Sequence, residues 1–136
     1  MEYEVSFEKG LALYNAHQYE RAVEWFRSEM LVSPSAKAKF WLGKALLAME
    51  QYAEAFQAFS SCTEKNVRVP AQVNMAIIEA RQDHPFEAEN RLRALTPTEN
   101  DEIYLNLASV LYQQGRAKAA QDMLFEHPIE KSSTYW

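Results

Sequence analysis

The chain has 136 residues, 48% of them apolar, and a formal charge of −5. That length builds one core and not two. The acidic balance argues against a nucleic-acid backbone binder, which needs a basic face, and three Gly with five Pro argue against a loop-rich or all-β fold and against disorder.

Cys62 is the single cysteine, so an intrachain disulfide is excluded and a reducing, cytoplasmic setting is expected. The opening residues MEYEVSFEKG lack the basic start and apolar run of a signal peptide. No apolar stretch approaches membrane-spanning length, so no membrane insertion is expected.

Taken in chain order, the pattern alternates between apolar-periodic segments and polar breaks. A first segment from about Glu4 ends at His17-Gln18, and a second, opening with QYERAVEWF, runs to Ser33-Pro34-Ser35. The next segment contains FWLGKALLAM, breaks at Glu50-Gln51, resumes as QYAEAFQAF and reaches Val69-Pro70. A third pair breaks at Asp83-His84-Pro85 and stops at Thr96-Pro97-Thr98. A fourth breaks at Gln114-Gly115-Arg116 and ends near His127. The apolar period is 3.6 throughout, which predicts helices, not strands. Ser35 and Thr98 are expected N-caps, and Pro70 and Pro85 suit the first turn of a helix, where the missing N–H costs nothing. The sum is eight helices in four hairpins.

The copies are in register. Gly10, Leu13, Tyr19, Ala22 and Phe26 recur 33 residues later as Gly43, Leu46, Tyr52, Ala55 and Phe59. The small residue, the Ala and the large apolar residue continue as Ala76, Ala88 and Leu92, then as Ala108, Ala120 and Leu124. The repeats fall at approximately 4–35, 36–68, 69–100 and 101–128, with 129–136 as a tail, within a single domain. Small side chains at Gly10 or Gly43 and at Ala22 or Ala55 let the helix axes of a hairpin approach closely, to about 8–10 Å. Phe26, Phe59, Leu92 and Leu124 then fill the space toward the next hairpin. One hairpin cannot bury its apolar face alone, so the units stack.

This pattern resembles the tetratricopeptide repeat, a helix–turn–helix unit of about 34 residues. The second and fourth copies fit it best. The third is degenerate, with Glu79 where an apolar residue is usual. The resemblance implies an all-α fold, an α-solenoid of four antiparallel hairpins wound into a right-handed superhelix, whose concave face is lined by the first helix of each hairpin and binds peptides.

On that face the first copy would place Phe7, Glu8, Leu11 and Tyr14, and the second Phe40, Trp41, Lys44 and Leu47. The third would place Val73, Asn74, Ile77 and Arg81, and the fourth Leu105, Asn106, Ser109 and Tyr112. About half of these are aromatic or aliphatic, more than a solvated face needs. The reading is a groove for an apolar extended or helical segment, with Tyr14, Phe40 and Trp41 as anchors. Phe7, Phe40 and Leu105 are equally explained as packing between neighbouring first helices. The Lys- and Asn-lined clamp that relatives use for chaperone tails is not expected, because only Asn74 matches its pattern.

No constellation supports catalysis. His17 and His84 fall in turns of different repeats, and His127 lies near the end of the array. No metal-ligand spacing occurs, and no cofactor is called for. Cys62 sits at an inward position on a second helix and reads as an inert thiol. The expected function is a non-enzymatic adaptor or scaffold that binds another protein or peptide. Alternatives are a dedicated chaperone, similar to those guarding type III secretion translocators, or a self-assembling element. For the last, Met123, Leu124 and Phe125 either seek a second copy or are covered by Ile129, Tyr135 and Trp136.

Overall fold

The computed structural model describes residues 2–96 and 100–128, with side chains from Phe7 onward. Eight helices lie among these residues: α1 (Glu2–Asn15), α2 (Tyr19–Val32), α3 (Ala36–Ala48), α4 (Tyr52–Ser60), α5 (Lys65–Arg81), α6 (Pro85–Arg93), α7 (Asp101–Gln113) and α8 (Ala117–Glu126). No strand occurs among them, and the all-α expectation holds. The chain divides into two compact units, Met1–Ile78 and Glu79–Trp136. The first contains α1 to α4 and most of α5, and the second the last turn of α5 with α6, α7 and α8.

All four hairpin turns use one device. The second residue after the first helix of each hairpin adopts a left-handed conformation, at His17 (φ 63°), Glu50 (φ 60°), Asp83 (φ 67°) and Gly115 (φ 79°). The next N–H then reaches back five residues: Gln18 to Leu13 O (2.9 Å), Gln51 to Leu46 O (3.0 Å), His84 to Glu79 O (2.8 Å) and Arg116 to Leu111 O (2.8 Å). This is the Schellman closure, which satisfies carbonyls that the helix end leaves open. Only the fourth turn uses glycine. The other three carry a side chain there at a cost of about 1 kcal/mol each.

The alanines of the repeat, Ala22, Ala55, Ala88 and Ala120, are all fully buried. The large residues behave more specifically than the pattern suggested. An added Cβ on Gly10 would lie 2.6 Å from Phe26 Cε1, and one on Gly43 2.8 Å from Phe59 Cε1. Each Phe ring thus occupies the space a side chain would take on the first helix of its own hairpin. Phe26 also meets Phe7 (6.0 Å between ring centroids) and Phe59 meets Phe40 (5.6 Å). Burial of a ring of this size contributes about 1.5–3 kcal/mol. Where the repeat carries Ala in place of Gly, at Ala76 and Ala108, the large residue is the smaller Leu92 or Leu124.

Ser35 caps α3 as expected, its Oγ accepting from Ala38 N at 3.0 Å, and Pro85 stands in the first turn of α6. Pro70 does not open a helix: α5 starts at Lys65, and Pro70 lies in its second turn. The buried stripe Val67, Ala71, Met75 and Ile78 explains this, because burying Val67 and Ala71 together requires helix on both sides of the proline. Pro70 itself is exposed, and its ring removes one backbone hydrogen bond without stopping the helix. Thr98 lies outside the described residues, and the cap of α7 is Asn100, whose Oδ1 accepts from Glu102 N at 2.9 Å. The tail residues Ile129, Tyr135 and Trp136 also lie outside them.

Candidate functional site

In the first unit, α1 and α3 bring together an aromatic cluster. Tyr14 on α1 meets Trp41 on α3 edge-on, with centroids 5.2 Å apart and planes at 74°. Tyr14 also meets Tyr19 (5.3 Å), and Trp41 meets Phe40 (5.8 Å), which continues to Phe59. Edge-on pairs of this kind contribute about 0.5–1.5 kcal/mol beyond their burial. Burial pushes the Tyr14 phenol up, with Tyr19 adding to the effect. Tyr14 and Trp41 are half-buried, so they join two first helices and still present ring surface to solvent.

The other candidate residues separate into two groups. Leu11, Lys44 and Ile77 are half-buried, and Phe7 and Phe40 are half-buried with their rings packed on Phe26 and Phe59. Leu47 and Asn74, at 7% and 6% exposure, are withdrawn from any surface. Leu47 belongs, with Leu46, to the buried hydrophobic core of the first unit. Asn74 folds back on its own helix, its Nδ2 donating to Pro70 O at 2.8 Å. Val73 is likewise buried.

In the second unit, Arg81 is exposed and Tyr112 is 48% exposed. Asn106 is half-buried, and its Nδ2 donates to Glu102 O at 2.9 Å. A different cluster dominates this unit. Glu89, 8% exposed, accepts from Arg93 Nε (2.7 Å), Arg116 Nη1 (3.0 Å) and Gln114 Nε2 (3.0 Å). Burial pushes its carboxyl up, but the hydrogen bonds from Gln114 and Arg93 and the two Arg charges outweigh this and hold it below the usual range. Every partner belongs to the α6–α8 framework, so this cluster is construction.

Two features escaped the sequence pattern. Lys37, on α3, places Nζ 4.7 Å from the centroid of the Phe7 ring. A pocket of about 270 Å³ between α1 and α2 is lined by Lys9, Leu13, Arg21, Glu24, Trp25 and Ser28, with Lys9 Nζ 5.3 Å from the Trp25 centroid. The sequence signal for Lys37 was its place one turn before Trp41 on a helix rich in lysine.

No group of three or more His, Cys, Asp or Glu side chains is arranged to hold a metal ion among the described residues. Cys62 is buried, and burial pushes its thiol up, away from the reactive thiolate. His17, His84 and His127 stand at helix ends, following α1, preceding α6 and following α8 respectively. No helix among the described residues is long and apolar enough to cross a membrane.

Repeated hairpins with identical closures, a buried alanine in each second helix and paired small and large residues define the fold class, a helical-repeat fold of the tetratricopeptide type. Residues 2–62 match the family described as anaphase-promoting complex, cyclosome, subunit 3. Among solved structures, the chain is similar to MamA 41-end from Desulfovibrio magneticus RS-1, at 20% identity and TM-score 0.75, covering 91% of this chain and 72% of that one. It is also similar to a MamA MSR-1 structure at 17% identity and TM-score 0.71, covering 93% and 75%. A MamA RS-1 double mutant gives 20% identity and TM-score 0.73, covering 90% and 71%. At this identity the likeness is one of fold. Among curated proteins no sequence relative matches.

Proposed function

We propose that the chain is a non-enzymatic interaction module that holds a segment of another protein against the α1–α3 face of its first unit. The observation that carries this reading is the Tyr14–Trp41 pair, two half-buried rings 5.2 Å apart on successive first helices. Rigid aromatic side chains that are already ordered lose little entropy on contact, which is why they anchor interfaces. Repeat arrays of this class use the first-helix surface for binding.

The test is an affinity capture with the wild type beside a Tyr14→Ala/Trp41→Ala double variant, with a thermal melt to confirm that the variant is folded. Specific partners are expected to be lost from the variant. Retention of every specific partner by a folded variant removes the groove reading.

Self-association through α8 is a second reading with its own observation. Phe125 is 86% exposed, and Met123 and Leu124 beside it are half-buried. Light scattering at increasing concentration decides it: growth that Phe125→Ser abolishes supports the contact, and a monomer at every concentration removes it.

A further inference from the structure

The aromatic face has a charge pattern that narrows its occupant, provided the groove reading above holds. Among the eight helices, α3 alone has no Asp or Glu, and it carries Lys37, Lys39 and Lys44 in a chain whose net charge is −5. Lys39 is engaged away from the aromatic pair, with Nζ 3.3 Å from Glu64 Oε2 and 3.3 Å from Ser61 O. Lys37, Trp41 and Lys44 follow at spacings of four and three, so they share one stripe of the helix. Their ends are separated by about 10.5 Å of helix rise.

The two ammonium groups are placed differently. Lys37 lies over the Phe7 ring, which fixes it next to the α1 side of the face. The buried Glu29 carboxylate is near enough for the Lys37 charge to oppose the effect of its burial, so part of that charge is already balanced. Lys44 is half-buried and makes no hydrogen bond or ion pair among the described residues. Among the described side chains, the exposed acid at a first-helix face position of this unit is Glu8, on α1. The stripe therefore reads cation, aromatic, cation against a background of opposite sign.

We propose that the α3 stripe from Lys37 to Lys44 selects segments in which an apolar or aromatic residue is flanked by two carboxylates. An extended segment advances about 3.3–3.6 Å per residue and turns alternate residues to one face, so carboxylates four residues apart, with the apolar residue midway, bracket the two lysines, whose flexible stems take up the difference. The apolar residue between them then meets Trp41 and Tyr14. Complementary charge sets the choice of partner and its approach, while the rings supply the contact area.

The test is fluorescence anisotropy with short labelled peptides that share an apolar core flanked by Glu, Gln or Lys pairs. The Glu-flanked peptide is expected to bind about three- to tenfold tighter than the Gln-flanked one, and the Lys-flanked one weakest. The preference should vanish in a Lys37→Gln/Lys44→Gln variant, which still binds the Gln-flanked peptide, and should collapse at about 0.5 M salt, where charges are screened within a few ångströms. Equal affinity for the Glu and Gln peptides, with both lost in Tyr14→Ala/Trp41→Ala, overturns the charge inference and leaves the groove reading standing. A preference that persists in the double-lysine variant also overturns it, because the acid is then recognised elsewhere. Failure of every peptide to bind removes the groove reading and the inference with it.

Discussion

Glu79 on α5 accepts two hydrogen bonds from the Arg91 guanidinium on α6, from Nε at 2.9 Å and from Nη2 at 3.0 Å. Glu79 occupies a position where the repeat pattern carries an apolar residue, and the structure supplies the compensation twelve residues later. Forked pairing of this kind is the strong form of an ion pair, and both side chains are mostly buried, at 15% and 25% exposure. Removing one partner leaves the other charge desolvated and unpaired. Arg91→Ala and Glu79→Ala should each destabilise by about 1–3 kcal/mol, and the double variant should lose clearly less than the sum. Urea unfolding of the three variants measures the coupling, and simple additivity contradicts it.

The Gly43–Phe59 contact makes a size prediction. Gly43→Ala drives a methyl into the Phe59 ring and should cost about 1–3 kcal/mol by overpacking, even though alanine is the better helix former. Phe59→Leu alone opens a void and also destabilises. The combination reproduces the Ala and Leu pairing of the third and fourth repeats, so it should recover part of both losses. Thermal melts of the cycle test this, and a double variant no better than the sum of the singles contradicts it.

The left-handed turn residues give a backbone prediction free of packing. Gly115 has nothing within 4 Å of where its Cβ would stand, at φ +79°. Gly115→Ala should therefore cost about 1 kcal/mol through conformation alone. Glu50, exposed at φ 60°, is the converse, and Glu50→Gly should stabilise by about 0.5–1 kcal/mol, less the extra freedom glycine gives the unfolded chain. Chemical denaturation midpoints check both directions.

Two buried carboxylates should respond oppositely to pH. Burial raises the Glu29 carboxyl above its unfolded value, the Lys37 charge only partly opposes this, and its Oε1 has no hydrogen-bond partner. The ionised form thus weakens the fold at neutral pH, and the penalty is relieved as pH falls through the folded value. Glu29→Gln should stabilise at pH 7, by about 1 kcal/mol, and gain little near pH 4. Glu89 is held below its unfolded value. Its contribution is fully present above the unfolded range, near about pH 4.3, and is lost as pH falls through the folded value. Glu89→Gln should destabilise at pH 7 and flatten the acid limb of the stability curve. Melts across pH 3 to 8 separate the two.

Much of the architecture was legible because it is periodic. A spacing of 3.6, a small residue facing a large one and a polar break in each copy all repeat along the chain, and local physics acts identically on each. That determined the eight helices, the four turns and the alanines of the hairpin crossings. It failed at Pro70, where burial of Val67 and Ala71 carried the helix across a residue that reads as a start.

What only the tertiary structure decided concerns partners distant in sequence and the direction of each side chain. Position on a first helix placed Leu47 and Asn74 on the candidate face, yet one packs into the core and the other bonds back to Pro70. The same information placed Tyr14 and Trp41 there without revealing that they touch, and it passed over Lys37 on the Phe7 ring. Periodicity reports which turn of which helix a residue occupies. Whether its side chain meets water, a ring or a carboxylate depends on the neighbouring helix, because burial and pairing energies are set by contacts across hairpins and not along the chain.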